Sequence, residues 1–172
     1  AMLTPEEYAA AMPASLPVLR SALDDEGAET RLLVCGVLAR VLPQAGPALS
    51  ADDVRGLYPD LTKRLDDAND DVRLAVCPAI EGLLSSCVYD SHYRKPGSNL
   101  DETNLSYLVR SVLVHLDDWS PDIQAASLQV LRFALKVSVD KVSAEVAAVR
   151  DRHRSPKLCD MLLAEAREGV HI

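Results

Sequence analysis

Three segments of this chain carry one short pattern at near-regular spacing, and that regularity limits the fold more than any other feature. Leu23, Leu65 and Leu116 are each followed by two aspartates: Asp24-Asp25, Asp66-Asp67 and Asp117-Asp118. Eight residues beyond each leucine stand Arg31, Arg73 and Gln124, the last two preceded by β-branched Val72 and Ile123. The copies are offset by 42 and then 51 residues. Around them the apolar residues keep a helical rhythm. Leu57, Leu61 and Leu65 recur at i, i+4 and i+8, and Val72, Ala75, Val76, Ala79, Ile80 and Leu83 repeat it beyond the acidic break. Each copy therefore predicts one amphipathic helix, an acidic turn and a second helix. Two such helices form an antiparallel hairpin, which needs stacked neighbours to cover its apolar face.

Taken in order, Thr4-Pro5-Glu6-Glu7 combines a capping threonine, an N1 proline and acids, and predicts a short helix through about Met12. Four hairpins are expected at residues 14–46, 50–84, 105–137 and 142–168, together one domain over 1–172. In the first, Leu16, Leu19, Ala22 and Leu23 share a face, and Gly27 can supply a left-handed turn. Leu32, Leu33, Cys35, Gly36, Val37, Leu38 and Val41 follow, with a stop around Pro43 and Gly46. Residues 85–104 lose the rhythm and read as a long inserted loop, a kind that is usually functional or flexible. The rhythm resumes at Leu105 and turns at Pro121. It ends in a pair with Leu158, Met161, Leu162 and Ala166 facing inward.

Apolar residues make up 48% of the chain, mostly Leu, Val and Ala, with one Phe and one Trp, which favours packed helices over an aromatic-rich sandwich. A helical-hairpin period near 40–47 residues is that of HEAT and armadillo arrays, and leucine, aspartate pair, then Val-Arg is the HEAT signature. The expected fold is all-α, an α-solenoid of about four HEAT-type hairpins. Its second aspartates should cap the second helices, and its arginines should reach toward neighbouring turns. Asp25, Arg31, Asp67, Arg73, Asp118 and Gln124 would then form a ladder along one edge, uncharged at Gln124. Exposed rungs contribute only about 0.2–1 kcal/mol each. Truncating a buried leucine such as Leu65 should cost roughly 2–5 kcal/mol, so the leucines dominate.

The net charge of −8 disfavours nucleic acid and anionic membrane as partners. Cys35, Cys77, Cys87 and Cys159 form no CxxC pair, and free thiols in a reducing compartment are expected. Cys35 and Cys77 sit where the third copy has Leu128, so they should pack in the core, leaving Cys87 as the thiol that labels readily. No apolar run approaches a membrane span and no signal peptide is visible. Ala1-Met2 reads as a cleavage scar before a start residue, so the chain is expected to be an excised, soluble, cytosolic fragment. His92, His115, His153 and His171 lie in no zinc or HExxH spacing, no Gly-rich phosphate loop occurs, and no GxSxG elbow occurs. Neither an enzyme, nor a cofactor, nor a small-molecule substrate is expected.

What remains is protein binding. Asp24, Asp25, Asp66, Asp67, Asp70, Asp71, Asp117 and Asp118 should line one edge. That edge is either a solvated row of turn carboxylates or a salt-sensitive contact for a basic partner. Arg150, Arg152, Arg154 and Lys157 around Asp151 are either a helix end complementing its dipole or a basic patch. Tyr89, His92, Tyr93, Arg94 and Lys95 in the loop, with an exposed Trp119, are types enriched at binding hot spots and also ordinary loop residues.

The residues also carry a specific resemblance. Leu57 to Asp67, then Asn69-Asp70-Asp71-Val72-Arg73, resemble the C-terminal HEAT region of the dynein axonemal assembly factor 5 family, also called HEAT repeat-containing protein 2. Leu113-Val114-His115-Leu116-Asp117-Asp118 with Ile123-Gln124, and His153-Arg154-Ser155 with Cys159 and Leu162-Leu163, extend it over most of residues 51–168. Residues 1–50 look only generically HEAT-like. The resemblance implies a C-terminal piece of a longer HEAT protein. It would be a cytoplasmic, non-catalytic scaffold or co-chaperone-like factor for preassembly of axonemal dynein arms. Dynein chains, other assembly factors and chaperones would be its partners. The rival readings are a generic HEAT adaptor of transport-receptor or phosphatase-scaffold type, and a HEAT-like nucleic-acid or cofactor enzyme.

Overall fold

The structure, a computed structural model, describes residues 4–45, 49–87 and 100–169. Those residues contain eight α-helices and no strand: α1 Pro5–Leu23, α2 Ala28–Ala45, α3 Ala51–Lys63, α4 Asp70–Cys87, α5 Glu102–Leu113, α6 Pro121–Val137, α7 Val139–Val149 and α8 Lys157–Glu168. Short 3-10 turns at Arg64–Asp66, Val114–Asp117 and Arg150–Arg152 follow α3, α5 and α7. The fold is all-α and its helices pack as stacked hairpins, the construction principle of an α-solenoid. The chain divides into two compact units, Ala1–Asp101 and Glu102–Ile172.

In the first unit, α1 packs on α2, α3 on α4, and the two hairpins meet chiefly through α2 and α4. The seam is made by the residues the periodicity marks. Leu57, Leu61, Val72, Val76, Ala79, Ile80 and Leu83 are fully buried, as are Cys35, Leu38 and Leu42 of α2. Gly82 allows the close approach of these helices: a Cβ there would lie 3.0 Å from Pro43 Cδ and 3.2 Å from Leu42 Cβ. In the second unit, α5 packs on α6 and α7, and α8 on α6 and α7. Leu108, Val109, Val112, Val130, Leu131, Ala134, Val142, Val146 and Cys159 fill its core.

Several expectations need correction. The first helix does not stop near Met12: it runs unbroken to Leu23 through Pro13 and Pro17. Each proline removes a helical donor, but both lie on the exposed side, where water can serve the freed carbonyl, while Met12, Leu16 and Leu23 bury the opposite face. Pro43 likewise sits inside α2 on its exposed side and does not stop it. Gly27 is not left-handed; among the described residues only Gly169 has positive φ, at 69°. The helix expected to close near Leu84 extends to Cys87, so Cys87 is 3% exposed and its thiol donates to the Leu83 carbonyl at 3.3 Å. It is buried like the other three cysteines and is not the accessible thiol. Helix α5 begins at Glu102, earlier than the expected Leu105. On α8, Cys159 and Leu162 face inward, but Met161 is 36% exposed.

Candidate functional site

The repeated turns are built alike. In each copy the second aspartate accepts the N–H two residues on: Asp25 Oδ1 from Gly27 at 2.8 Å, Asp67 Oδ1 from Asn69 at 3.0 Å, and Asp118 Oδ1 from Ser120 at 2.8 Å. The carboxylates thus close Asx-turns and do not cap the second helix, as the spacing had led us to expect. Helix α4 is instead met by Asn69 Oδ1, which accepts from Asp71 and Val72, and α6 by Ser120. The residue six positions on folds back over the same turn. Arg31 Nη1 donates to the Asp25 and Glu26 carbonyls at 2.8 and 2.9 Å, and Gln124 Nε2 to the Asp118 carbonyl at 2.6 Å. Arg73 reaches further, to the Leu65 carbonyl at 2.8 Å and Asp70 Oδ1 at 3.0 Å.

A rung crosses between the first two hairpins. Arg31 grips Asp67 through both oxygens, Nε to Oδ2 at 2.7 Å and Nη2 to Oδ1 at 2.8 Å. Arg64 adds a bond to Asp67 Oδ2 at 3.1 Å and reaches Asp24 at 3.1 Å, which Lys63 also holds at 2.5 Å. The Asp67 side chain is only 2% exposed. The Arg31 side-chain bond, followed by the Asn69 N–H and the charge of Arg31 and Arg64, outweighs burial and holds its carboxyl below the usual carboxylate range. Asp67 therefore staples two hairpins and is closed to a basic partner, whereas Asp66, Asp70 and Asp71 lie on the surface. Arg64 escaped the sequence reading because it falls among helix residues; its one signal is standing three residues before Asp67. Glu145 is a comparable junction in the second unit: Arg110 Nε and Nη2 hold it at 2.6 and 3.0 Å, joining α5 to α7.

Tyr89, His92, Tyr93, Arg94 and Lys95 lie outside the described residues. Trp119 lines a groove in the second unit. The indole is 88% exposed, and the Arg154 guanidinium lies 4.3 Å from its ring centroid. The Arg154 N–H donates to Asp117 Oδ2 at 3.0 Å, its guanidinium to the Asp117 carbonyl, and His153 Nδ1 lies 3.2 Å from the same Oδ2. Burial pushes the Asp117 carboxyl up. The N–H of Arg154, the His153 imidazole and the N–H of Ser155 outweigh it, leaving the group below its ordinary range. The groove holds about 570 Å³ between the turn after α5 and the start of α8, with Leu116, Leu158 and Met161 as its apolar lining and Ser155 and Lys157 among its polar lining. Arg150, expected in one basic cluster with Arg154 and Lys157, is taken up by Asp160 at 2.6 and 2.9 Å and Asp151 at 2.7 Å.

Among the described residues no group of three or more His, Cys, Asp or Glu is placed to hold a metal ion, and no helix is long and apolar enough to cross a membrane. The arrangement offers a surface on which Trp119 stands as a large aromatic handle.

No family model matches the sequence. The chain is similar to proteins named dynein axonemal assembly factor 5. It is 33% identical to that of Xenopus laevis over 148 residues, 86% of this chain and 17% of the relative. It is 31% identical to those of Mus musculus and Homo sapiens over 162 residues, 94% of this chain and 18% of each relative. The chain thus spans less than a fifth of the length of the curated relatives it matches. On similarity running through almost all of its residues, the chain belongs to the dynein axonemal assembly factor 5 family.

Proposed function

We propose that this chain is a non-catalytic protein-binding segment that serves the preassembly of axonemal dynein arms in the cytoplasm, as a scaffold or co-chaperone-like factor built of HEAT repeats. The observation that carries the reading is the similarity, along 86–94% of the chain, to proteins whose name is that of a dynein assembly factor. The fold supports it in kind. In the first unit the Arg31–Asp67 staple ties two stacked hairpins at their turns, which suits a surface that presents contacts to a partner. Partners are dynein chains and other assembly factors or chaperones.

Affinity purification from ciliated cells tests this. The protein bearing this chain should recover dynein heavy or intermediate chains. Recovery of importin cargo or phosphatase subunits in their place would point to a general adaptor and overturn the assembly reading.

A further inference from the structure

We infer that the groove beside Trp119 docks an extended segment of a partner protein in which an aliphatic side chain stands next to a carboxylate. The inference rests on reading the chain as protein-binding, and names the chemistry of one partner contact. Three observations carry it. First, Trp119, 88% exposed, is a large apolar surface held in water, and the Arg154 guanidinium stacks over its ring at 4.3 Å, so the ring forms one wall of the groove. Trp and Arg are the types that dominate binding energy when a partner covers them.

Second, the slot has a suitable size and floor. About 570 Å³ bounded by Leu116, Leu158 and the 36% exposed Met161 accommodates an aliphatic side chain with its flanking backbone. Third, the charges are sorted. The two acids of the groove are turned to its own backbone, Asp117 to the N–H of Arg154 at 3.0 Å and Asp118 to that of Ser120 at 2.8 Å. Among the described residues no acid pairs with the exposed Lys157 or with the Arg154 guanidinium, which donates to a carbonyl and stacks on the ring. An incoming segment therefore meets cations, and a carboxylate beside its apolar anchor complements them.

Selection from a displayed library of random peptides on the purified chain tests the inference. Retained peptides should enrich an aliphatic residue adjacent to Asp or Glu, and their binding should quench the fluorescence of the only tryptophan. Trp119→Ala and Lys157→Glu should each weaken retention at least tenfold with circular dichroism and thermal midpoint unchanged, since both residues are exposed. Ser155→Asp should weaken it by charge alone, while Val18→Ala, which removes an exposed apolar group of the other unit, should not. Enrichment of Lys- or Arg-rich peptides, peptides indifferent to Trp119→Ala, or no selectable peptide would overturn it. The assay contains no ciliary protein. Failure here with dynein chains still recovered from cells sinks only the groove, and the converse sinks only the assembly role.

Discussion

Replacing Asp67 with alanine removes a carboxylate that is 2% exposed and accepts four hydrogen bonds, two from Arg31 and one each from Arg64 and the Asn69 N–H. The arginines left behind are largely covered, their side chains 12% and 10% exposed. Breaking one side of a buried ion pair costs roughly 3–5 kcal/mol because the other charge is stranded. Here the turn lies at the margin of the stack, where water can reach the freed guanidiniums, so about 3 kcal/mol is expected. For a chain of this length that corresponds to roughly 6–12 °C in Tm, read by circular dichroism. The nearby Asp71→Ala, at an exposed position in the first turn of α4, should move stability by less than about 1 kcal/mol. The pH dependence follows from the sign of the shift. The carboxyl of Asp67 lies below its unfolded value of about 3.9, so its stabilisation is complete above that value and is lost as pH falls through the folded one. The gap between parent and Asp67→Ala should hold from pH 7 to about 5 and narrow below about 4. A Tm for Asp67→Ala within 1 °C of the parent, or equal to that of Asp71→Ala, would refute the staple.

Two further predictions concern the core. In the folded chain none of the four cysteines should react with a chromogenic disulfide reagent over minutes, and all four should react in denaturant. Burial raises the Cys35 thiol to about 11 and the Cys77 thiol to about 12, and Cys87 is covered at the end of α4. One fast thiol would contradict that helix end. Glycine substitutions in the paired helices should diverge. Gly36→Ala meets open space and should stabilise by about 0.5–1 kcal/mol, whereas Gly82→Val crowds Leu42 and Pro43 and should destabilise by about 1–3 kcal/mol. Opposite thermal shifts check the pair, and like shifts would contradict the close approach of α2 and α4.

The hairpins were legible because their signal is periodic: Leu57, Leu61 and Leu65, and Leu105, Leu108, Val109, Val112, Leu113 and Leu116, repeat at helical spacing and all are buried. The continuity of α1 was not, since Pro13 and Pro17 look like breakers unless one knows that their side of the helix faces water. Asp67 was recognisable as part of a repeat, but its burial depends on Arg31 of the hairpin before it, 36 residues away, and on Arg64 folding back to it. The groove at Trp119 was half legible. The exposed ring could be anticipated, yet α6 and α7 both intervene between Trp119 and Arg154, and no local pattern ties the two.

Axonemal dynein content after depletion of the protein bearing this chain from multiciliated cells tests the central claim most directly. Assembly-factor function predicts axonemes that lack dynein arms by electron microscopy while dynein heavy chains persist unassembled in the cytoplasm. A full complement of arms on the depleted axonemes would contradict it.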